Sequence, residues 1–165
     1  MARALYLMHA VFLLAILFNL SSYFLLPDGV AIHFGRGGMP DSWLSKGSHV
    51  LISAGIFILL YAGFVISPHL PKGVQTKYIN LPNANYWLLD ENREEALRKL
   101  AGYMYSFGIA TGLLLLISCI LLVEANLSDP VKLEEGILLP SFGIYAVFTA
   151  GWLFRLITAF RIPKR

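Results

Sequence analysis

The chain has few charged residues, a single cysteine and no catalytic sequence motif. Each of these features limits the classes of protein to which it can belong. Charged residues make up only 14% of the 165 residues, whereas hydrophobic residues make up 57%. The lone Cys119 excludes an intramolecular disulfide, and within an apolar stretch it is ordinarily a small packing residue. The sequence has no nucleophile–base arrangement, no phosphate-binding glycine loop and no metalloprotease helix motif. We therefore predict that it is not an enzyme and needs no cofactor.

Long apolar runs are what the chain does contain. Four of them fill most of the sequence, at about residues 5–26, 50–66, 103–123 and 137–160. A bilayer core takes roughly 20 apolar helical residues to cross, and lipid-facing backbone must satisfy its own hydrogen bonds. We therefore predict an all-α fold, an integral membrane four-helix bundle that forms a single domain over residues 1–165. The first run is too long for a signal peptide and lacks a small-x-small cleavage site, so we expect it to be retained.

The basic residues outside the spans predict the orientation of the chain. Nine of them lie at the N-terminus, in the second loop and at the C-terminus, whereas three lie in the first and third loops. Because Lys and Arg collect on the cytoplasmic side, we expect both termini and the second loop in the cytoplasm. The net charge of +3 fits attraction to anionic lipid at that surface. Membrane lipids are thus expected partners, and nucleic acid is not.

The second loop carries a strong helix-forming segment at residues 90–100, with Asp90 placed to cap its N-terminus. Its favourable i,i+4 pairs are Glu94–Arg98 and Glu95–Lys99. No helix breaker separates this segment from the third run, so we predict a cytoplasmic helical extension of the third span. Before it, Pro68 and Pro71 should end the second helix, and an irregular stretch should lead to Asn80.

The first outer loop is predicted to be turn-rich and structured. An extended apolar piece around His33 is followed by a glycine turn and then by a Pro-Asp-Ser-Trp segment. In one interpretation His33, Asp28 and Asp41, with His49, converge on a polar or metal-binding site. In the other, His33 and Asp41 hydrogen-bond the loop's backbone and fold it over the mouth of the bundle. No tight ligand spacing is visible, so we predict no metal site.

Two sequence motifs resemble a known family. They are Pro27-Asp28-x-x-x-Ile32-His33-Phe34 with Gly38-x-Pro40-Asp41-x-Trp43-x-Ser45-Lys46, and Asn80-Leu81-Pro82-Asn83-x-x-Tyr86-Trp87-Leu88 with Glu91-x-Arg93-Glu94. The first resembles a small bacterial membrane domain, unknown-function domain 1648, which also forms the N-terminal part of SdpI-like immunity proteins. The second is similar to segments of uncharacterised members. The resemblance implies a protein of the bacterial inner membrane and no known reaction. SdpI-like proteins carry further transmembrane segments beyond this domain, whereas four are predicted here.

The loops supply the candidate binding residues, and the spans supply candidate packing residues. The loop candidates are His33, Asp28, Asp41 and Trp43 outside, and Asn83, Tyr86 and Trp87 inside. In the third span, Gly108-x-x-x-Gly112 permits close helix approach, either inside the bundle or to another subunit. The fourth span has a comparable small face at Gly143, Ala146, Ala150 and Gly151. Pro140 is predicted to open this fourth helix, where its missing N–H does least harm.

Three functions from different classes follow from these features. The leading prediction is a non-catalytic accessory or regulatory subunit of a larger inner-membrane assembly, with other membrane protein subunits as partners. The second is an SdpI-like immunity or sensor protein whose outer loop binds an extracellular peptide or small ligand. The third is metal or small-molecule handling at the His33 loop.

Overall fold

The computed structural model describes residues 2–68 and 81–163, and most of them are helical. Its elements are α1 (Ala2–Ser22), β1 (Gly29–Phe34), β2 (Pro40–Ser45), α2 (Lys46–Ile66), α3 (Ala84–Trp87), α4 (Asp90–Leu127) and α5 (Glu135–Ala159). Within these described ranges, α1, α2, α4 and α5 are long and apolar enough to cross a membrane. The prediction of four helices that are long and apolar enough to span a membrane is therefore confirmed. The irregular stretch predicted between Pro71 and Asn80 lies outside the described residues.

The predicted helical extension of the third span is present, because α4 is one continuous helix of 38 residues. Both predicted ion pairs form on its first turns, with N–O distances of 3.4 Å for Arg98–Glu94 and 2.8 Å for Lys99–Glu95. The predicted capping role of Asp90 is wrong. Leu89 occupies the N-cap without a side-chain hydrogen bond, and Asp90 lies in the first turn, where a carboxylate favours the helix dipole.

The predicted start of the fourth helix is also wrong, since α5 begins before Pro140. Glu134 caps the helix, and its Oε1 accepts a hydrogen bond from the Gly136 N–H at 3.0 Å. A side-chain cap at Glu134 lets the helix start there, although Pro140 then lies inside it and withholds one backbone donor.

The all-α prediction fails in the first loop, which forms an antiparallel hairpin of β1 and β2. A 3-10 turn at Arg36–Gly38 joins the strands, with Gly37 at φ 78° and Gly38 at φ 74°. Glycine adopts such positive φ values without steric cost, so the glycine-rich segment makes a defined turn. The register steps over Ile32 in β1 and Asp41 in β2, which marks two bulges.

The four helices predicted for the bundle are present, and they pack unevenly. Helices α1, α2 and α4 pack on one another, whereas α5 packs principally against α4. None of the residues of α5, all of which the structure describes, is buried. Hydropathy did not reveal this difference, because lipid-facing and core-facing residues are equally apolar.

The predicted GxxxG pattern lies where α4 meets α1. A Cβ added to Gly108 would lie 2.6 Å from the Met8 Sδ atom, and one added to Gly112 would lie 2.8 Å from the Val11 Cγ1 atom. Both distances are shorter than real Cβ contacts, so the two glycines allow the helix backbones to approach closely. In this structure the pattern serves packing within the chain.

Candidate functional site

The hairpin is held to the bundle by Asn126, near the end of α4. The side-chain Oδ1 of Asn126 accepts a hydrogen bond from the Ala31 N–H at 2.7 Å, and its Nδ2 donates to the Ala31 carbonyl at 3.0 Å. Ala31 is fully buried and pairs with Trp43 across the hairpin. Buried backbone groups need partners, and this amide supplies both of them. The Asn126 side chain therefore makes the two backbone hydrogen bonds that a neighbouring strand would otherwise make.

An apolar cluster and a second buried asparagine lie beneath the hairpin. The cluster consists of Leu26, Val30, Val50 and Val123, so it joins the hairpin to α2 and α4. Asn19 in α1 is fully buried and donates from Nδ2 to the Val50 carbonyl at 3.0 Å. The hairpin thus lies on a fixed platform made by three helices.

Three of the candidate residues are exposed on the hairpin, and two of them, His33 and Asp41, are in contact. The His33 Nδ1 atom lies 2.5 Å from the Asp41 Oδ1 atom, and the two side chains are 69% and 50% exposed. The bulge at Asp41 lets its side chain reach His33 across the strands. Trp43 on β2 is 49% exposed. The hairpin thus exposes a polar pair and a large aromatic ring.

Asp28 pairs with Lys46 instead of joining His33. The Lys46 Nζ atom lies 2.9 Å from the Asp28 Oδ1 atom, and the Lys46 N–H also donates to the Asp28 carbonyl at 3.0 Å. The side-chain hydrogen bond from Lys46 and its positive charge lower the pKa of Asp28 below its ordinary value of 3.8. The pair thus closes the base of the hairpin, where β1 begins and β2 ends. Exposed pairs of this kind contribute little free energy, so its main role is geometric.

The metal-handling interpretation finds few ligands in the structure. Among residues 2–68 and 81–163, no group of three or more His, Cys, Asp or Glu side chains is placed to hold a metal ion. His49 is buried in the first turn of α2, and its Nε2 has no hydrogen-bond partner there. Of the four residues considered for convergence, His33 and Asp41 are the two that meet.

The candidates at the other end of the bundle contact α5. The Asn83 Nδ2 and the Trp87 Nε1 atoms each donate to the Phe160 carbonyl at 2.8 Å. Phe160 is the C-cap of α5, where carbonyls lack helical partners. Asn83 adopts φ 55° and ψ 40°, a left-handed conformation that Asn tolerates better than most residues. The spacing of Asn83 and Trp87 is thereby explained, because both side chains reach one carbonyl.

Trp87 and Tyr86 lie in a small aromatic cluster. Trp87 is 2% exposed, contacts Phe160 edge-on at 5.6 Å between ring centroids, and carries the Lys99 ammonium 4.0 Å from its own ring centroid. The Tyr86 carbonyl accepts a hydrogen bond from Asn92 Nδ2 at 3.1 Å. Asn83 and Trp87 therefore bind α5 of the same chain, whereas the hairpin candidates point outward.

Helix α5 presents an open face on the side away from α4. Tyr145 and Trp152 face α4, through hydrogen bonds to Thr111 and to the Tyr103 carbonyl. The opposite face carries Gly143, Val147, Ala150 and Phe154, which recur at helical spacing. Val147 is 75% exposed and Phe154 is 66% exposed, and a Cβ added to Gly143 would have no described atom within 4 Å.

The contact of Asn126 with the hairpin was not predicted from the sequence. An Asn just after the third apolar run looks like an ordinary solvated loop residue, and its partner Ala31 lies 95 positions away. No local signal identifies such a contact.

Comparison with known proteins gives one match to a family model, and the matched residues include the hairpin. Searches of the curated proteins and of the solved structures found no match. The association with SdpI-like immunity proteins stays a prediction. Residues 10–58, which hold most of α1, the hairpin and the beginning of α2, match the family model described as Domain of unknown function (DUF1648).

Proposed function

We propose that this protein is a non-catalytic accessory or regulatory subunit of a larger assembly in the bacterial inner membrane, and that α5 binds a transmembrane helix of a different protein. The observation that carries this proposal is that none of the described residues of α5 is buried within the chain. The other three spans each bury part of their surface against one another. Helix α5 is thus the span with most surface left for a partner.

The chemistry of the open α5 face favours a helix over lipid. Gly143 and Ala150 leave shallow notches beside the larger Val147 and Phe154. Glycine inside a helix lowers helix stability by about 1 kcal/mol relative to alanine, and contact with lipid chains does not compensate for that loss. Small residues instead let a second helix backbone approach closely, which gains van der Waals contact. The face is apolar, so its partner must itself be a membrane-embedded helix.

The test is the mass and composition of the native particle, extracted in mild detergent from its own membrane at native expression level. We expect stoichiometric co-purification with at least one other membrane protein. A lone monomer, or a dimer of this chain alone, would contradict the proposal.

A matched pair of variants tests the role of the α5 face. Ala150→Leu fills the notch and should release the partner, whereas Ala10→Leu makes the same change at an exposed position of α1 and should leave the particle intact. Equal release by both variants would show that the α5 face has no special role.

A second candidate function rests on the exposed hairpin. His33, Asp41 and Trp43 lie on a hairpin that Asn126 and a buried apolar cluster hold in place. An exposed polar pair and an exposed aromatic ring on one hairpin suit the capture of an extracellular peptide, as expected for an SdpI-like immunity or sensor protein. A small ligand could use the same groups.

The immunity hypothesis is tested by survival of cells challenged with the sporulation-delaying toxin against which SdpI-like immunity proteins protect. Cells that express the chain should survive, and His33→Ala or Trp43→Ala should abolish protection without lowering the amount of protein in the membrane. Met39→Ala, at an exposed position beside the hairpin turn, is the control and should retain protection. Survival that is independent of the chain would eliminate this candidate.

A further inference from the structure

An open groove of about 650 Å³ lies between α4 and α5, at the end of the bundle that contains α3. Within the described part of the chain, its charged lining residues are Arg98, Lys99 and Arg155, and no carboxylate lines it. Two glycines widen it, since a Cβ added to Gly102 or Gly151 would have no described atom within 4 Å. A concave site with several cations attracts an anion.

The cations differ in how far they are already neutralised. Lys99 pairs with Glu95 at 2.8 Å, and Arg98 lies 3.4 Å from Glu94. The guanidinium of Arg155 has no ion-pair partner within the described part of the chain, and the residue is exposed. Arg155 therefore has its donors available for a ligand, and Arg98 has an exposed, weakly held pair that a phosphate can replace.

Two aromatic residues in the lining of the groove are hydrogen-bonded between α4 and α5. The Trp152 Nε1 atom donates to the Tyr103 carbonyl at 3.0 Å, and the Tyr103 hydroxyl donates to the Arg155 carbonyl at 3.1 Å. The two rings meet edge-on, with their centroids 6.1 Å apart. Tyr and Trp are enriched at the headgroup level of membranes, where one end of the ring is apolar and the other is wet. This pair indicates that the groove opens at that level.

An apolar channel lies farther along the same helix seam. This second cavity, of about 250 Å³, shares Phe148 with the first and extends past Ile144 on α5 and Leu113 and Ile117 on α4. Among the residues that the structure describes, its lining contains no charged side chain. The seam as a whole is therefore cationic at one end and apolar beyond it, which is the polarity of a phospholipid.

We propose that the α4–α5 seam binds an anionic phospholipid, with its phosphodiester headgroup at Arg98 and Arg155 and an acyl chain along the channel past Phe148. A free phosphate ion would use the cations alone and would leave the apolar channel unexplained. Basic pockets between transmembrane helices are suited to anionic headgroups. This site lies beside the α4 contact, away from the Gly143–Phe154 face, so it stands independently of the proposed partner helix.

The test is native mass spectrometry of the purified full chain, titrated with phosphatidylglycerol or with phosphatidylcholine of the same acyl chains. We expect phosphatidylglycerol to bind more tightly than phosphatidylcholine. Arg155→Gln and Arg98→Gln should each weaken it about fivefold, since a basic residue near a membrane surface contributes about 1 kcal/mol. Gly151→Leu should weaken it as well, because the new side chain fills the groove without clashing with the described structure.

Matched controls separate a built site from diffuse surface charge. Arg161→Gln removes the same charge just beyond the C-cap of α5, and Gly55→Leu adds the same side chain at an exposed position of α2; neither should change binding. The proposal is overturned if phosphatidylcholine binds equally well or if Arg161→Gln weakens binding as much as Arg155→Gln. It is also overturned if millimolar inorganic phosphate displaces the phosphatidylglycerol, because that result would identify a free-anion site.

Discussion

At the scale of single residues, buried amides fix the relation between distant segments. Asn126 satisfies both backbone groups of Ala31, and Asn19 links α1 to the first turns of α2 through the Val50 carbonyl. Each of these contacts is buried, where an unmet donor or acceptor is expensive. A small number of side-chain amides therefore orients a hairpin that has only two strands and little core of its own.

We predict that Asn126→Leu, a change of similar size, destabilises the hairpin by on the order of 2–4 kcal/mol, because it leaves the Ala31 N–H and carbonyl buried without partners. Amide hydrogen exchange within β1 should accelerate accordingly. Leu127→Ala, at the exposed neighbouring position, is the control and should leave exchange in β1 unchanged. Unchanged exchange in Asn126→Leu would show that the position of the hairpin does not depend on the Asn126 amide.

At the scale of elements, the long helices were predictable from the sequence, whereas the hairpin and the contacts of α5 were not. Apolar runs of the length of a bilayer predicted all four spans, and the pairs Glu94–Arg98 and Glu95–Lys99 predicted the extension of α4. The hairpin escaped prediction because the bulges at Ile32 and Asp41 break the alternation that identifies a strand. The contacts of α5 escaped because hydropathy does not distinguish lipid from protein as the neighbour of an apolar side chain.

The contact between α4 and α1 predicts unequal effects of adding a methyl group at two glycines. Gly112→Ala should lower the thermal unfolding temperature more than Gly108→Ala, because the stiff Val11 and the Phe12 ring surround Gly112, whereas the flexible Met8 lies nearest to Gly108. Gly143→Ala, which meets nothing, should be neutral or slightly stabilising in the purified chain. Thermal unfolding of the three variants in one detergent measures this order, and an equal loss for Gly143→Ala would contradict it.

The attachment of α3 to the end of α5 predicts coupling between two substitutions. Asn83→Ala or Trp87→Phe alone leaves one donor on the Phe160 carbonyl and should cost about 1 kcal/mol each. The double variant removes both donors and should cost more than the sum. A double-mutant cycle of unfolding free energies measures the coupling, and strict additivity would show that the two bonds act independently.

At the scale of the whole molecule, the two ends of the bundle have different characters. One end carries the hairpin, with His33, Asp41 and Trp43 exposed, and the other carries α3 and the basic groove. The distribution of Lys and Arg predicted from sequence that the second end is cytoplasmic. The pairing of Asn126 with Ala31 and the groove at Arg155 depend on folding, so residue spacing did not reveal them.

This orientation is testable by labelling single cysteines. Ser42→Cys on the hairpin should react with a membrane-impermeant maleimide in intact cells, whereas Glu91→Cys at the start of α4 should react only after permeabilisation. The native Cys119 is buried, so its background should be low. Reaction of Glu91→Cys in intact cells would reverse the assigned topology.

Helix α4 runs without interruption from the basic end of the molecule to the residue that holds the hairpin. Arg98 and Asn126 are about 42 Å apart along it, at a rise of about 1.5 Å per residue. No non-helical residue interrupts α4 between these two positions. We therefore expect a tilt of the hairpin to be transmitted along α4 to the lining of the groove at the opposite end of the bundle.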